Sequence, residues 1–206
     1  MTLTKKKNLD LKLSEKEKTL VAAALQLEKP WKDKNTKNIR NKIRDFHLKL
    51  TDDLCCYCQQ NFHGEFKLVI DPEHILPASI YSHYSFSIWN LSVACKRCNM
   101  LIKKARTDFL DKSHPNEQES EHYKFIHPNF DEYDEHLELN QVQKGKKRIV
   151  KYLVCSKSKG EFTRKYFKLE ELEMNNFNRS QGIETVTQDS EITMAVRSLA
   201  SKNNIE

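Results

Sequence analysis

The sequence contains no apolar run approaching the length of a membrane span, so no segment reads as a transmembrane helix. Its first residues, MTLTKKKNLD, lack the apolar stretch that a signal peptide needs, so a cytoplasmic protein with no membrane partner is expected. Glycine is scarce, with four in 206 residues, and no internal repeat or long low-complexity tract is present. Repeat arrays and linker-dominated chains are thereby excluded. Disulfides are uncommon in the cytoplasm, so the six cysteines read as thiols and metal ligands.

What is present is charge, at 31% of residues, and enough chain for one domain with appendages. The net charge of +6 is unevenly spread. Residues 1–50 carry 14 Lys/Arg against 6 Asp/Glu, and residues 51–112 balance at 7 against 7. Residues 113–140 hold 1 against 8, and residues 141–206 hold 13 against 8. Two basic flanks around a neutral middle suit a polyanion such as nucleic acid, although a solvated surface has the same composition.

Three regions follow from the pattern: a basic N-terminal helical region at 1–50, a dense middle at 51–112, and an appendage at 113–206. Ser14 and Glu17 form a capping box ahead of KEKTLVAAALQLEK, a helix that Pro30 closes. Ile39, Ile43, Phe46 and Leu50 recur at helical spacing over 36–50. FKLVI (66–70) reads as a strand running towards His74, and LSVA (91–94) as a second strand. After Cys98 a helix is expected over 99–112. Its Leu101, Ile102, Ala105 and Phe109 would lie on one face, with Asn99, Lys103 and Arg106 opposite. The acidic 113–140 reads as a loop plus a short helix. KRIVKYLVC and EFTRKYFKL, joined by SKSKG, read as a basic hairpin, with one last helix near 189–201.

The most specific signal is a matched pair of CxxC motifs, Cys55/Cys58 and Cys95/Cys98. A tetrahedral Zn²⁺ takes four thiolates, and each CxxC turn presents two from one tight loop. Residues 59–94 separate the pairs, so a structural zinc knot must close around an inserted element carrying His74. Cys56 is an alternative to Cys55 at poorer spacing, and Cys155 reads as core. With four protein ligands the zinc has no open position, so any chemistry needs other groups.

Within the knot stand Glu73-His74 in EHILP, Asn90 in WNL, and Asn99 directly after the second CxxC. That order resembles the HNH endonucleases across residues 51–112. The resemblance implies an α+β fold with a zinc-pinned ββα-metal core, hydrolysing nucleic-acid phosphodiester bonds, DNA ahead of RNA. His74 would be the general base. Glu73 and Asn99 would give hard oxygen ligands to a catalytic Mg²⁺ or Mn²⁺, leaving most of its shell to water and phosphate. Asn90 would shape the loop and orient the imidazole, and Lys103 and Arg106 would grip flanking phosphates. Many relatives have His where Asn99 stands and Asp where Glu73 stands, and a lysine often follows the second CxxC more closely than Lys103 does. Asp71 is an alternative ligand to Glu73. Without this company, Asn90 is an ordinary turn residue and Asn99 an ordinary helix cap. His47, His63, His83, His114, His122, His127 and His136 read as surface or internally satisfied histidines.

The basic N-terminal helices, the Glu form of EHILP and the downstream HPNFDEYDEHLEL are similar to the PtuB-type HNH effectors of Septu and retron-associated anti-phage systems. That resemblance implies a hetero-oligomer with an SMC/ABC-like ATPase of the PtuA type, and a nucleic-acid substrate. The acidic stretch 113–140 and basic segment 144–168 would then be partner or nucleic-acid surfaces. Two other readings stay open: a non-catalytic zinc-stabilised module that binds nucleic acid or protein, and a stand-alone homing or restriction HNH enzyme.

Overall fold

The computed structural model describes residues 8–176, and the helix expected near 189–201 lies outside them. The chain is α+β with two small sheets, and it divides into two compact units, Met1–Tyr133 and Asp134–Glu206. The boundary differs from the one expected at 112/113, because residues 113–133 belong to the first unit.

The first unit begins with α1 (Glu15–Ala24), whose capping box is formed in both directions: Glu17 N–H donates to Ser14 Oγ, and Ser14 N–H donates to Glu17. α1 stops at Ala24, short of Pro30, and Pro30 instead opens a 3₁₀ turn over Pro30–Lys32. α2 (Lys37–Leu50) forms as the spacing predicts, although its innermost side chains are Ile39, Ile43 and His47. Phe46 and Leu50 are only half-buried. Ile39 and Ile43 meet Ala24, Phe86 and Leu91 in one cluster, ringed by Leu20, Val21, Trp31 and Ile88. Burial of each large apolar side chain there contributes about 1.5–3 kcal/mol.

β1 (Ile70–His74) pairs antiparallel with β2 (Leu91–Cys95), Ile70 opposite Cys95 and His74 opposite Leu91. The expected strand over 66–70 is displaced towards the C-terminus. Lys67–Val69 forms a 3₁₀ turn instead, and Phe66 and Leu68 are exposed. The reason is the partner: β2 ends at Cys95 and the chain turns away, so residues before Ile70 have no ladder to join. Both strands are edges of a two-stranded sheet, which is why Pro72 is tolerated within β1.

The helix expected over 99–112 is a shorter π-helix, Arg97–Lys103. Lys104 N–H donates five residues back to Asn99 O at 2.8 Å, and Lys104 then takes a positive φ of 52° that ends the element. The expected faces dissolve with it: Leu101 is exposed, Ile102 and Lys103 are buried, and Arg106 lies beyond the helix.

In the second unit, β3 (Leu137–Lys144) pairs with β4 (Lys147–Val154), and β5 (Met174–Asn175) pairs with β4. The hairpin therefore forms one element earlier than expected. Its two-residue loop places Gly145 at φ 58°, the positive-φ first position that a II′ turn requires. The segment expected as the returning strand is α3 (Lys159–Tyr166). Its residues alternate, but they also match at four-residue spacing, with Phe162 stacked on Tyr166 and both Thr163 and Phe167 buried. Glu173 ties this unit together, accepting from Arg164 at 3.0 Å and pairing with Lys151 at 3.1 Å. Cys155, expected in the core, is exposed.

Gly160 lies against the chain at His136, where an added Cβ would fall 1.9 Å from the carbonyl oxygen. Gly160→Ala is expected to destabilise the second unit by about 3 kcal/mol, the upper end of overpacking costs, read as a lower denaturant midpoint. An unchanged midpoint would mean that the backbone at His136 yields freely.

Candidate functional site

Two turns and a strand end build the cysteine tetrad. The Cys55–Cys58 turn is closed by a bridge between Leu54 and Asn61, and by Cys55 N–H donating to Gln60 O at 2.9 Å. Gln59 takes φ 56° to complete it. The second turn leaves β2 at Cys95 and enters the π-helix at Arg97. Cys95 N–H donates to Cys55 Sγ at 3.3 Å, and Cys98 N–H donates to Cys95 Sγ at 3.4 Å. All four sulfurs are buried and lie within 4.8 Å of one another.

Cys58 Sγ and Cys95 Sγ stand 3.7 Å apart. A Zn²⁺ with bonds near 2.3 Å needs sulfur–sulfur edges of about 3.8 Å. The sulfurs also compete for protons. Hydrogen bonds from Cys55, Cys58 and Cys98 hold the Cys95 thiol far below its ordinary range, while contacts with Cys55 and Cys95 push Cys58 up and contacts with Cys55, Cys58 and Cys95 push Cys98 up. Only a bound cation lets all four carry charge together, so the donor set fits a structural zinc. Cys56 stays outside the tetrad. Its N–H donates to Val93 O at 3.0 Å, and burial pushes its thiol well up.

Around His74 the chain is held from several sides. The imidazole is half-buried at the end of β1, and Nε2 lies 3.0 Å from Ser85 O. A carbonyl only accepts, so Nε2 carries the hydrogen and Nδ1 the lone pair. Trp31 meets the ring edge-on at 4.5 Å between centroids. Burial, opposed by the Ser85 carbonyl and assisted by the Lys103 charge, lowers the His74 pKa to about 4. The ring is therefore neutral at physiological pH.

Asn90 is fully buried and serves as a clamp. Its Oδ1 accepts from Leu76 N–H at 2.7 Å, and its Nδ2 donates to Leu76 O at 3.2 Å and Tyr84 O at 3.3 Å. It thus joins the chain just after His74 to the loop that carries Ser85. Asn129 braces Asn90 from behind, donating to Trp89 O and Leu91 O, each at 2.8 Å.

Glu73 and Lys103 depart from expectation. Glu73 points to the opposite side of the strand from His74, as adjacent strand residues must. There it accepts from Tyr57 Oη at 3.0 Å and pairs with Lys103 Nζ at 2.8 Å. Both side chains of the ion pair are 1% exposed. Lys103 Nζ also donates to His74 O at 2.7 Å and lies over the Phe109 ring. The carboxyl is nonetheless held above its ordinary range, because burial outweighs the nearby ammonium. Lys103 is accordingly no phosphate contact, because it is spent inside. Asn99 lies beside Asp71, at 3.4 Å from Nδ2 to Oδ2, and Lys96 pairs with the same carboxylate at 2.9 Å. Arg106 is exposed and paired with Asp108.

The structure thus assembles the cysteines as expected, turns Glu73 to the side of β1 opposite His74, and sets Asn99 beside Asp71. Glu73 faces the Lys103 ammonium, whereas Asp71, the alternative oxygen ligand, is the carboxylate next to Asn99. Sequence reasoning missed Trp31, Ser85, Tyr57 and Asn129 as neighbours of the site. An aromatic residue among lysines in KPWKDK and the motif HPNFDEY were the signals available. Comparison with protein-family models, curated proteins and solved structures finds no match.

Two outcomes test this geometry. Cys98→Ser is expected to bring bound zinc down to background and to unfold the first unit, whereas Cys56→Ser keeps its zinc. Atomic absorption reads both, and equal zinc loss in the two would reassign the ligands. Lys103→Met strands a buried carboxylate and is expected to cost about 3–5 kcal/mol. The double change Glu73→Gln/Lys103→Met recovers most of it in denaturant unfolding.

Proposed function

We propose that the chain is a zinc-stabilised hydrolase of nucleic-acid phosphodiester bonds, of the HNH type, with His74 as its general base. One observation carries this reading: the His74 imidazole stands at a strand end between Trp31 and the Ser85 carbonyl, which takes Nε2 at 3.0 Å and leaves Nδ1 the lone pair, while burial lowers its pKa. A base must be unprotonated and oriented before water arrives, and here both conditions are met by backbone and burial alone. Nδ1 would take a proton from the attacking water, and the Ser85 carbonyl would stabilise the imidazolium through Nε2–H. Asn90 and Lys103 hold the His74 segment from its two ends and do not touch substrate. The order of antiparallel pair, short helix and thiol tetrad also suits an HNH-type core.

The Mg²⁺ or Mn²⁺ that goes with this family would fall to Asn99 and Asp71, because Glu73 is paired with Lys103, and no step is assigned to it. The setting in anti-phage defence, beside an SMC/ABC-like ATPase and a retron, is carried by the motif resemblance alone. The buried Glu73–Lys103 pair favours a second reading, a non-catalytic zinc module that binds nucleic acid or protein.

Wild type and His74→Ala, with plasmid DNA and with total RNA, decide between them. The variant is expected to keep its zinc and lose at least about 10²-fold in cleavage rate. Equal rates in the two proteins, or no cleavage by wild type under any metal or partner condition, would remove the hydrolase reading. The pH profile adds a second check. A base loses activity as pH falls through its own pKa, so the rate should stay level from neutral pH down to about 5 and fall near 4. An unperturbed imidazole would instead lose half its activity near pH 6.5.

A further inference from the structure

A cleft of about 390 Å³ opens beside His74. Its walls come from two segments, Glu28–Lys32 after α1 and the loop with Ala78, Ser79 and Ser85. Two of its lining residues are also the two that hold the imidazole: Trp31 packs on the ring, and Ser85 O takes Nε2. Anything seated here is therefore one residue away from His74 on two sides. The walls divide by chemistry. Pro30, Trp31 and Ala78 offer an apolar surface, while Lys29, Lys32 and Ser79 offer cationic and hydroxyl groups. Glu28 is the one acid in the lining, and it is already paired with Lys29 at 3.3 Å across an exposed contact. Such a pair yields readily to a stronger anion.

The indole is rigidly set. Arg40 lies 5.9 Å from the Trp31 ring centroid, and its guanidinium donates to Asp33 O at 2.6 Å and Thr36 Oγ1 at 2.8 Å. Phe86 lies 5.2 Å from it on the core side. A fixed aromatic beside exposed cations, in a cavity within the size range of small-ligand sites, matches the two halves of a nucleotide.

Resting on the hydrolase reading, we infer that this cleft is the subsite for one unstacked nucleotide next to the scissile phosphate, with its base against Trp31 and its phosphates met by Lys29 and Lys32. Free nucleotide and polymer share that chemistry, so the test includes both. A base inside a duplex has no exposed face for an indole, so the site favours single-stranded or opened nucleic acid over intact duplex.

The experiment uses the full zinc-loaded chain carrying His74→Ala, so that no probe is cleaved. Binding of a labelled single-stranded oligodeoxynucleotide, the matching duplex and deoxyadenosine monophosphate is followed by anisotropy or by Trp fluorescence. Trp31→Ala is expected to weaken single-strand binding by about tenfold or more. Trp31→Phe keeps the packing and should lose less. Lys29→Gln/Lys32→Gln changes only exposed side chains, and should lower the salt dependence of binding by about two counterions. Single-strand binding within about twofold of the parent in both the Trp31→Ala and the lysine variants overturns the subsite. Equal responses with duplex overturn the preference for an unstacked base, and an effect on the monophosphate alone reassigns the cleft to free nucleotide. If wild type cleaves nucleic acid, and the Trp31 and lysine substitutions leave binding unchanged in the His74→Ala chain and cleavage unchanged in the wild-type background, the subsite falls and the hydrolase reading stands. If the parent binds none of the probes, both fall.

Discussion

Four sulfur atoms within 4.8 Å of one another hold the first unit in register. They join a turn at Cys55–Cys58 to the place where β2 ends and the π-helix begins. From there β1 is aligned residue by residue, and His74 is set at its far end. The surrounding sheet has only two strands, and an isolated two-stranded pair is at best marginally stable in water. The helical layer of Ile39 and Ile43 covers the sheet, and a zinc held by the tetrad would add the rest of what the sheet lacks.

A second constraint lies one layer deeper. Lys103 reaches back from the π-helix to a carboxylate and a carbonyl on β1, and the ion pair is shielded from water. Removing two charges from water costs several kcal/mol, which only close pairing and further hydrogen bonds offset. Lys103 has those bonds, to Glu73 and His74 O, and Glu73 has Tyr57 as well. The same pairing takes Glu73 out of contention as an open ligand. One local choice thus stabilises the strand end and restricts its chemistry.

Much of this could be read along the chain, and the parts that could not have a common cause. The capping box of α1, the second helix, β2 and the cysteine tetrad depend on residues close in sequence or on a motif with its own geometry. The strand over 66–70 failed because no partner extends far enough, and partners are not a local property. The basic hairpin was assigned one element late because EFTRKYF satisfies both a two-residue and a four-residue period. The helix after Cys98 is wider than the four- and three-residue spacings assume, and it sends Lys103 inwards where an exposed face is expected. The boundary at Tyr133 moved because the HPNFDEY segment clamps the loop around Asn90.

By itself the sequence determined the ligand set for one metal, the helices that cover β2, and a histidine at a strand end, because each depends on spacing within a few residues. Only the tertiary structure decided that Glu73 faces an ammonium, and that Trp31 and Ser85 flank the imidazole. Those outcomes turn on which groups lose their water together, and burial is a property of the packed chain.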